Sequence, residues 1–240
     1  MKVIPIIHKV IFFFVLLSFQ FIESEENIFS LESIAKYLPN NPVIIECGAH
    51  IGFDTAIMSE KWPSGVIYAF EASPEVYKKL KARTINLKNV HTFPLALGDT
   101  NGTTKFYPSN EIAGIGEFHG GNYAQGSLLP ANEEEWMWDH ISLAEPINTP
   151  VKTLDAWAKE NNVQKVDFMW LDMQGFDFQM LMASPDILKT VSVIKIEVSF
   201  KEFYKGTILF DEGKKFLEDK GFKCLGVDSD LCGDAIFIKK

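Results

Sequence analysis

The chain has 240 residues, of which 47% are hydrophobic and 13% aromatic, enough for one packed core and too rich for a chain that stays unfolded. With 32 Asp and Glu against 23 Lys and Arg, the net charge of −9 argues against nucleic acid as a partner, because such binders gain affinity from basic patches. Three cysteines are too few, and odd in number, for a disulfide scaffold.

The N-terminal residues stand apart. Lys2, His8 and Lys9 precede an apolar run at 10–17, which continues through Phe21 and Ile22 to Glu23-Ser24-Glu25-Glu26. This order predicts a signal peptide or membrane anchor over 1–24 and a folded domain over 25–240. No A-x-A-like cleavage site is present, and Ile22-Glu23-Ser24 is the nearest substitute. As an anchor, residues 3–22 would associate with a membrane while Lys9 snorkels outward. Basic residues before the run and acidic ones after it direct the domain into the secretory pathway or to the cell exterior.

From Val43 onward, short apolar runs alternate with longer amphipathic ones, the pattern of an α/β domain with a mainly parallel sheet. A first strand is predicted over 43–47, after the breaker Pro39-Asn40-Asn41-Pro42. Gly48-Ala49-His50-Ile51-Gly52 then turns into a helix reaching about Trp62. A second strand covers 66–70. Ser73 and Pro74 suit the N-cap and first position of a helix continued by Val76, Leu80 and Ile85. Residues 90–93 form a third strand, and Asp99-Thr100-Asn101-Gly102-Thr103 reads as a hairpin turn into Lys105-Phe106-Tyr107. Residues 108–150 lack periodicity and read as an irregular insert, a candidate substrate loop. Beyond Pro150 the pattern resumes: helix 153–160, strand 166–172, helix 177–183, strand 191–199 and helix 211–220. A terminal antiparallel pair over 222–227 and 235–238 closes the chain.

The turn Glu46-Cys47-Gly48-Ala49-His50-Ile51-Gly52 carries the chemistry. Gly48 and Gly52 permit a tight turn and close approach by a ligand, and the helix start offers free N–H groups. Glu71 lies 19 residues beyond Gly52, at the end of the second strand, where a nucleotide-binding fold keeps its ribose-binding carboxylate. A dinucleotide fingerprint needs three glycines around the pyrophosphate, whereas this turn has two, preceded by Glu46. That carboxylate repels a pyrophosphate but suits a ligand bearing an ammonium and a sulfonium, so S-adenosyl-L-methionine fits better than NAD.

Six blocks in order, Ile-Glu-Cys-Gly-Ala-His-Ile-Gly (45–52), Tyr-Ala-Phe-Glu-Ala-Ser-Pro (68–74), Leu-Ala-Leu-Gly-Asp (95–99), Thr-Leu-Asp-Ala-Trp (153–157), Leu-Asp-Met-Gln-Gly-Phe-Asp (171–177) and Ile-Glu-Val (196–198), resemble the FkbM-type methyltransferases. The resemblance implies the Rossmann-like fold of S-adenosylmethionine-dependent enzymes and methyl transfer to an oxygen of a sugar, polyketide or glycan. It further implies that Glu46, Gly48 and Gly52 line the methionine end, that Glu71 binds the ribose, and that Asp99 or its neighbours lie near the adenine. The family's Asp-x-Glu-Gly block stands here as Asp172-Met173-Gln174-Gly175, and its later Glu as Asp177; an amide at 174 cannot act as a base.

Transfer to an alcohol requires alignment and removal of a proton. Asp172, at the carboxyl end of its strand, is the leading candidate for the base or acceptor-orienting group, and Glu197 occupies the equivalent end of the next strand. His50 borders the cofactor. His119 and His140 in the insert are further candidate bases, and Trp136 and Trp138 either stack on a substrate ring or anchor the loop. No metal-ligand spacing is present, and Asp228, Asp230 and Asp234 read as turn residues. Cys224 and Cys232 would bridge the final hairpin in an exported domain, and Asn101-Gly102-Thr103 is a glycosylation acceptor only in a eukaryotic secretory lumen. An exported, non-catalytic binding protein on the same scaffold is the competing reading.

Overall fold

The computed structural model describes residues 27–109, 124–135 and 143–240. The N-terminal apolar segment, His119, Trp136, Trp138 and His140 lie outside them. Among the described residues no helix is long and apolar enough to cross a membrane.

The centre of the fold is a seven-stranded sheet. Its strands are β1 (Val43–Cys47), β2 (Val66–Phe70), β3 (Val90–Phe93), β7 (Phe168–Leu171), β8 (Val193–Ser199), β9 (Phe222–Val227) and β10 (Cys232–Lys239). They lie in the order β3-β2-β1-β7-β8-β10-β9. β3, β2, β1, β7 and β8 run parallel, and β10 pairs antiparallel with both β8 and β9. The central strands read as near-continuous apolar runs because both of their faces are covered. Ile44, Ile67, Phe168 and Val193 point to a layer with Met58, Trp62 and Leu80. Ile45, Met169 and Ile194 point to the opposite layer with Trp157, Phe178 and Leu181.

The helices are α1 (Leu31–Ala35), α2 (Phe53–Lys61), α3 (Pro74–Thr84), α4 (Leu154–Glu160), α5 (Asp177–Met182), α6 (Pro185–Leu188) and α7 (Phe210–Asp219). Thr153 caps α4 by accepting the Ala156 N–H. Ile85 does not continue the apolar stripe of α3: it is the C-cap and is 72% exposed.

Two sequence expectations are corrected. The predicted hairpin at 99–103 is absent, because β4 (Ala96–Leu97) and β5 (Gly102–Phe106) do not pair with each other. β6 (Ile147–Lys152) lies between them, parallel to β4 and antiparallel to β5, in a second, three-stranded sheet. Pro150 concealed this strand. A proline is tolerated there because the two-residue β4 pairs only at Val151 and Lys152, so no missing donor is felt on that side. The Cys224–Cys232 bridge is also absent, both thiols being free. The register places Cys224 opposite Phe237 and Cys232 opposite Ser199, so the two cysteines do not face each other.

Candidate active site

Open α/β sheets bind ligands beyond the carboxyl ends of the strands where the strand order reverses. Here that point lies between β1 and β7, and the two strand ends meet closely. Gly48 has φ +76°, and a Cβ there would stand 1.9 Å from the Asp172 carbonyl oxygen. The glycine that sequence assigned to ligand approach is therefore demanded first by the neighbouring strand end, although it also lines the cavity. Gly52, with φ +83°, lines neither of the two cavities described below; a Cβ there would meet Leu80 Cδ1 at 2.8 Å, so this glycine serves the packing of α2 on α3.

A cavity of about 420 Å³ opens over β1, β2 and β7. Glu46 reaches it from within β1, only 2% exposed, and accepts a 2.6 Å hydrogen bond from the Thr55 hydroxyl. Burial pushes its carboxyl up to about 8. Glu71 follows β2 and accepts the backbone N–H groups of His50 (2.9 Å) and Ser73 (2.7 Å), joining the glycine turn to the β2 loop. Burial outweighs these bonds and raises it to about 7. His50 has φ 49°, and its Nε2 is buried with no hydrogen-bond partner. Burial, with Lys79 and Arg83 nearby, lowers its pKa to about 4, so the imidazole is neutral near pH 7. Residues 95–97, Ala124 and residues 126–128 contribute further walls. Asp99 does not line it: the Gly98 N–H bonds the Lys152 carbonyl, which leads the chain along β6 and leaves Asp99 exposed in the turn beyond.

A second cavity, about 540 Å³ and mostly walled by charged groups, opens over β7, β8 and β10. It shares Asp54, Trp170 and Asp172 with the first. Asp172, just past the end of β7, faces both spaces, and desolvation of its carboxyl, with Asp234 and Asp54 nearby, raises it to about 6. Gln174 Nε2 donates to Asp172 Oδ1 at 2.7 Å and to Glu197 Oε2 at 2.9 Å. Glu197, from β8, lines the second cavity, and burial followed by the Asp172 charge holds its carboxyl well above the usual range. The Tyr204 hydroxyl has two acceptors for its one proton, Gln174 Oε1 at 2.8 Å and the Gln125 carbonyl at 3.0 Å. Asp177 is 1% exposed and accepts the Met173 N–H at 3.0 Å, closing the turn; burial raises it to about 8. Lys195 pairs with Asp234 and lies 3.9 Å from the centre of the Trp170 ring.

The structure thus brings Glu46, Gly48, His50, Glu71, Asp172 and Glu197 to one sheet edge and leaves Gly52 and Asp99 out of it. Tyr204, Lys195, Asp234, Asp54 and Thr55 were missed by sequence reasoning. Asp54 reads as an ordinary first-turn acid of α2 and Asp234 as a turn residue, while Lys195 and Tyr204 sit among apolar or irregular neighbours with no spacing signal.

The walls of the first cavity carry four carboxylates (Glu46, Asp54, Glu71, Asp172) and, among the described residues, no lysine or arginine side chain. Such a lining suits a cationic ligand with hydroxyl donors, and the unpartnered His50 Nε2 awaits a polar partner. Sheet order, the reversed strand β10 and the acidic crevice together define a Rossmann-like α/β fold with a crevice suited to a cationic ligand.

The chain belongs to the FkbM methyltransferase family, whose domain matches residues 46–224. It is 26% identical over 169 residues to 2-O-methyltransferase NoeI of Sinorhizobium fredii, covering 70% of this chain and 68% of that one. It is 24% identical over 213 residues to Methyltransferase 1 of Beauveria bassiana, covering 86% and 82%. Among solved structures, methyltransferase FkbM from Methylobacillus flagellatus shares the fold with a TM-score of 0.52 at 9% identity, over 83% of this chain and 44% of that chain.

Proposed function

We propose that the chain methylates a hydroxyl oxygen on a sugar, glycan or other small metabolite, with Asp172 as the proton acceptor. The observation that carries this reading is the position of Asp172, which faces the donor cavity and the second, polar cavity at once. S-adenosylmethionine supplies an electrophilic methyl group and leaves as a neutral thioether. Glu46, His50 and Glu71 are the groups that would hold it, the carboxylates matching its ammonium and ribose hydroxyls. Asp172 then takes the acceptor's hydroxyl proton, and Glu197 accepts a hydrogen bond from a neighbouring hydroxyl. The carboxylates around the second cavity suit a neutral polyol and oppose an anionic acceptor. The name of NoeI, a 2-O-methyltransferase, supports oxygen as the receiving atom.

The test is methyl transfer from isotopically labelled S-adenosylmethionine to a panel of free sugars and neutral oligosaccharides, with the product bond located by mass spectrometry. An O-methyl ether is expected; a methylated amine or carboxylate as the favoured product would overturn the reading. The order of charges and apolar residues at 2–26 supports an exported or anchored enzyme. Intact mass of the cell-made protein tests this: loss of the segment near Ser24, or recovery in the membrane fraction, is the expected result.

A further inference from the structure

We propose that Gln174 is a positioning residue that holds Asp172 and Glu197 as one proton-accepting pair, with Tyr204 fixing the direction of its amide. This deepens, and rests on, the reading of the site as a methyl-transfer centre. The two N–H bonds of a single amide nitrogen go to two different carboxylates, at 2.7 and 2.9 Å. An amide turned the other way would aim its carbonyl at both carboxylates, so its direction is set by charge at one end and by the Tyr204 hydroxyl at the other.

The backbone is committed to this arrangement. Gln174 has φ 51° and Gly175 φ +90°, two successive left-handed residues, and the Ser127 hydroxyl holds the Gln174 carbonyl at 2.7 Å. A non-glycine residue in that region is strained and persists where its surroundings dictate it. Gln174 is 5% exposed, so its amide is unavailable for contact with bulk water. An amide cannot take up the proton itself, but it holds two groups that can close enough for the charge of Asp172 to be felt at Glu197. As the methyl–sulfur bond breaks and the methyl–oxygen bond forms, the hydroxyl proton passes to the Asp172–Glu197 pair. The positive charge of the sulfonium and the negative charge of the pair vanish together.

Other charges face the pair. Asp172 is approached by Asp54 of α2, Lys195 of β8 and Asp234 of β10. Glu197 is approached by Asp177 of α5, Asp234 and the Cys232 thiol. Gln174 is the neutral donor common to both, and it favours the ionised form of each.

The test is carboxyl ¹³C NMR of the full chain labelled at Asp and Glu, titrated with and without S-adenosylhomocysteine, the signals assigned with Asp172→Asn and Glu197→Gln. The wild type is expected to show each signal responding to both ionisations, as sites sharing a proton do. Gln174→Leu is expected to move the lower midpoint up by about one unit or more, and Tyr204→Phe to move it the same way by less. Gln174→Glu keeps the side-chain length and adds a third carboxylate, so it too raises the midpoint. Midpoints unmoved in these variants, or an Asp172 signal indifferent to Glu197, would overturn the proposal. Methyl transfer by the wild type is measured separately: its absence removes the enzymatic reading and leaves the titration result standing.

Discussion

Gly48 is the residue on which both halves of the site depend. Its missing Cβ lets the end of β1 pass against the Asp172 carbonyl, and its φ of +76° is one that side chains resist. Gly48→Ala is expected to destabilise the protein by roughly 2 kcal/mol or more, read from urea unfolding, because neither of the colliding atoms belongs to a flexible side chain. Asp172 gives a prediction in chemistry rather than stability. Asp172→Asn removes the base and is expected to lower kcat by about 10²- to 10⁴-fold on any hydroxyl acceptor. Retention of full turnover would assign proton removal elsewhere. At this scale the sequence located four carboxylates that the fold gathers at one edge, since Glu46, Glu71, Asp172 and Glu197 lie in or just after strands that periodicity locates. Asp99 itself stands exposed outside the cavity while its neighbours Leu95, Ala96 and Leu97 line it, because a strand end says nothing about where the chain goes after it.

Among the elements, α7 and α5 meet through a glycine. A Cβ on Gly213 would stand 2.2 Å from the Phe178 ring. Gly213→Ala sets two effects against each other. Alanine raises helix propensity by about 1 kcal/mol, while overpacking a filled contact costs about 1–3 kcal/mol. The collision is with a buried aromatic ring, so net destabilisation is expected, with a lower melting temperature in calorimetry. Elements of the large sheet were legible because apolar runs bounded by Gly, Pro and Asn mark buried parallel strands. The small sheet was not. β4 has only two residues, β6 contains Pro150, and their pairing is between segments far apart in sequence. Local pattern cannot report such pairing, and the adjacency of Asn101-Gly102 imitates a hairpin that the fold does not make. Tyr204 and Lys195 were hidden for the same reason: their partners, Gln174 and Asp234, come from other elements.

For the whole molecule, the clustered carboxylates set the response to pH. Glu46 and Asp177 lie at about 8, Glu71 at about 7 and Asp172 at about 6, all above their values in an unfolded chain. The folded state therefore binds more protons than the unfolded one across this window, and stability falls as pH rises through it. Urea unfolding of the ligand-free protein is expected to give a higher midpoint at about pH 5.5 than at about pH 8, and Glu46→Gln to narrow the difference. Binding follows the opposite sign. A cationic donor holds the carboxylates ionised, so affinity for S-adenosylmethionine measured by calorimetry is expected to rise between about pH 6 and pH 8, with protons released. Equal affinity at both would detach the cofactor from these groups.

The closure of β1 against β7 has a further consequence, one in time. The Val43 N–H donates to the carboxylate of Asp167, 124 residues away, and the Asp172 N–H reaches back to the Cys47 carbonyl at the crevice itself. While the chain is being made, the first strand waits with an uncovered edge until most of the sequence has emerged, and distant pairings of this kind form slowly. A chain cut short before β7 has neither an Asp172 nor the second wall of the crevice. Chains that stop short of β7 therefore cannot form the crevice at all.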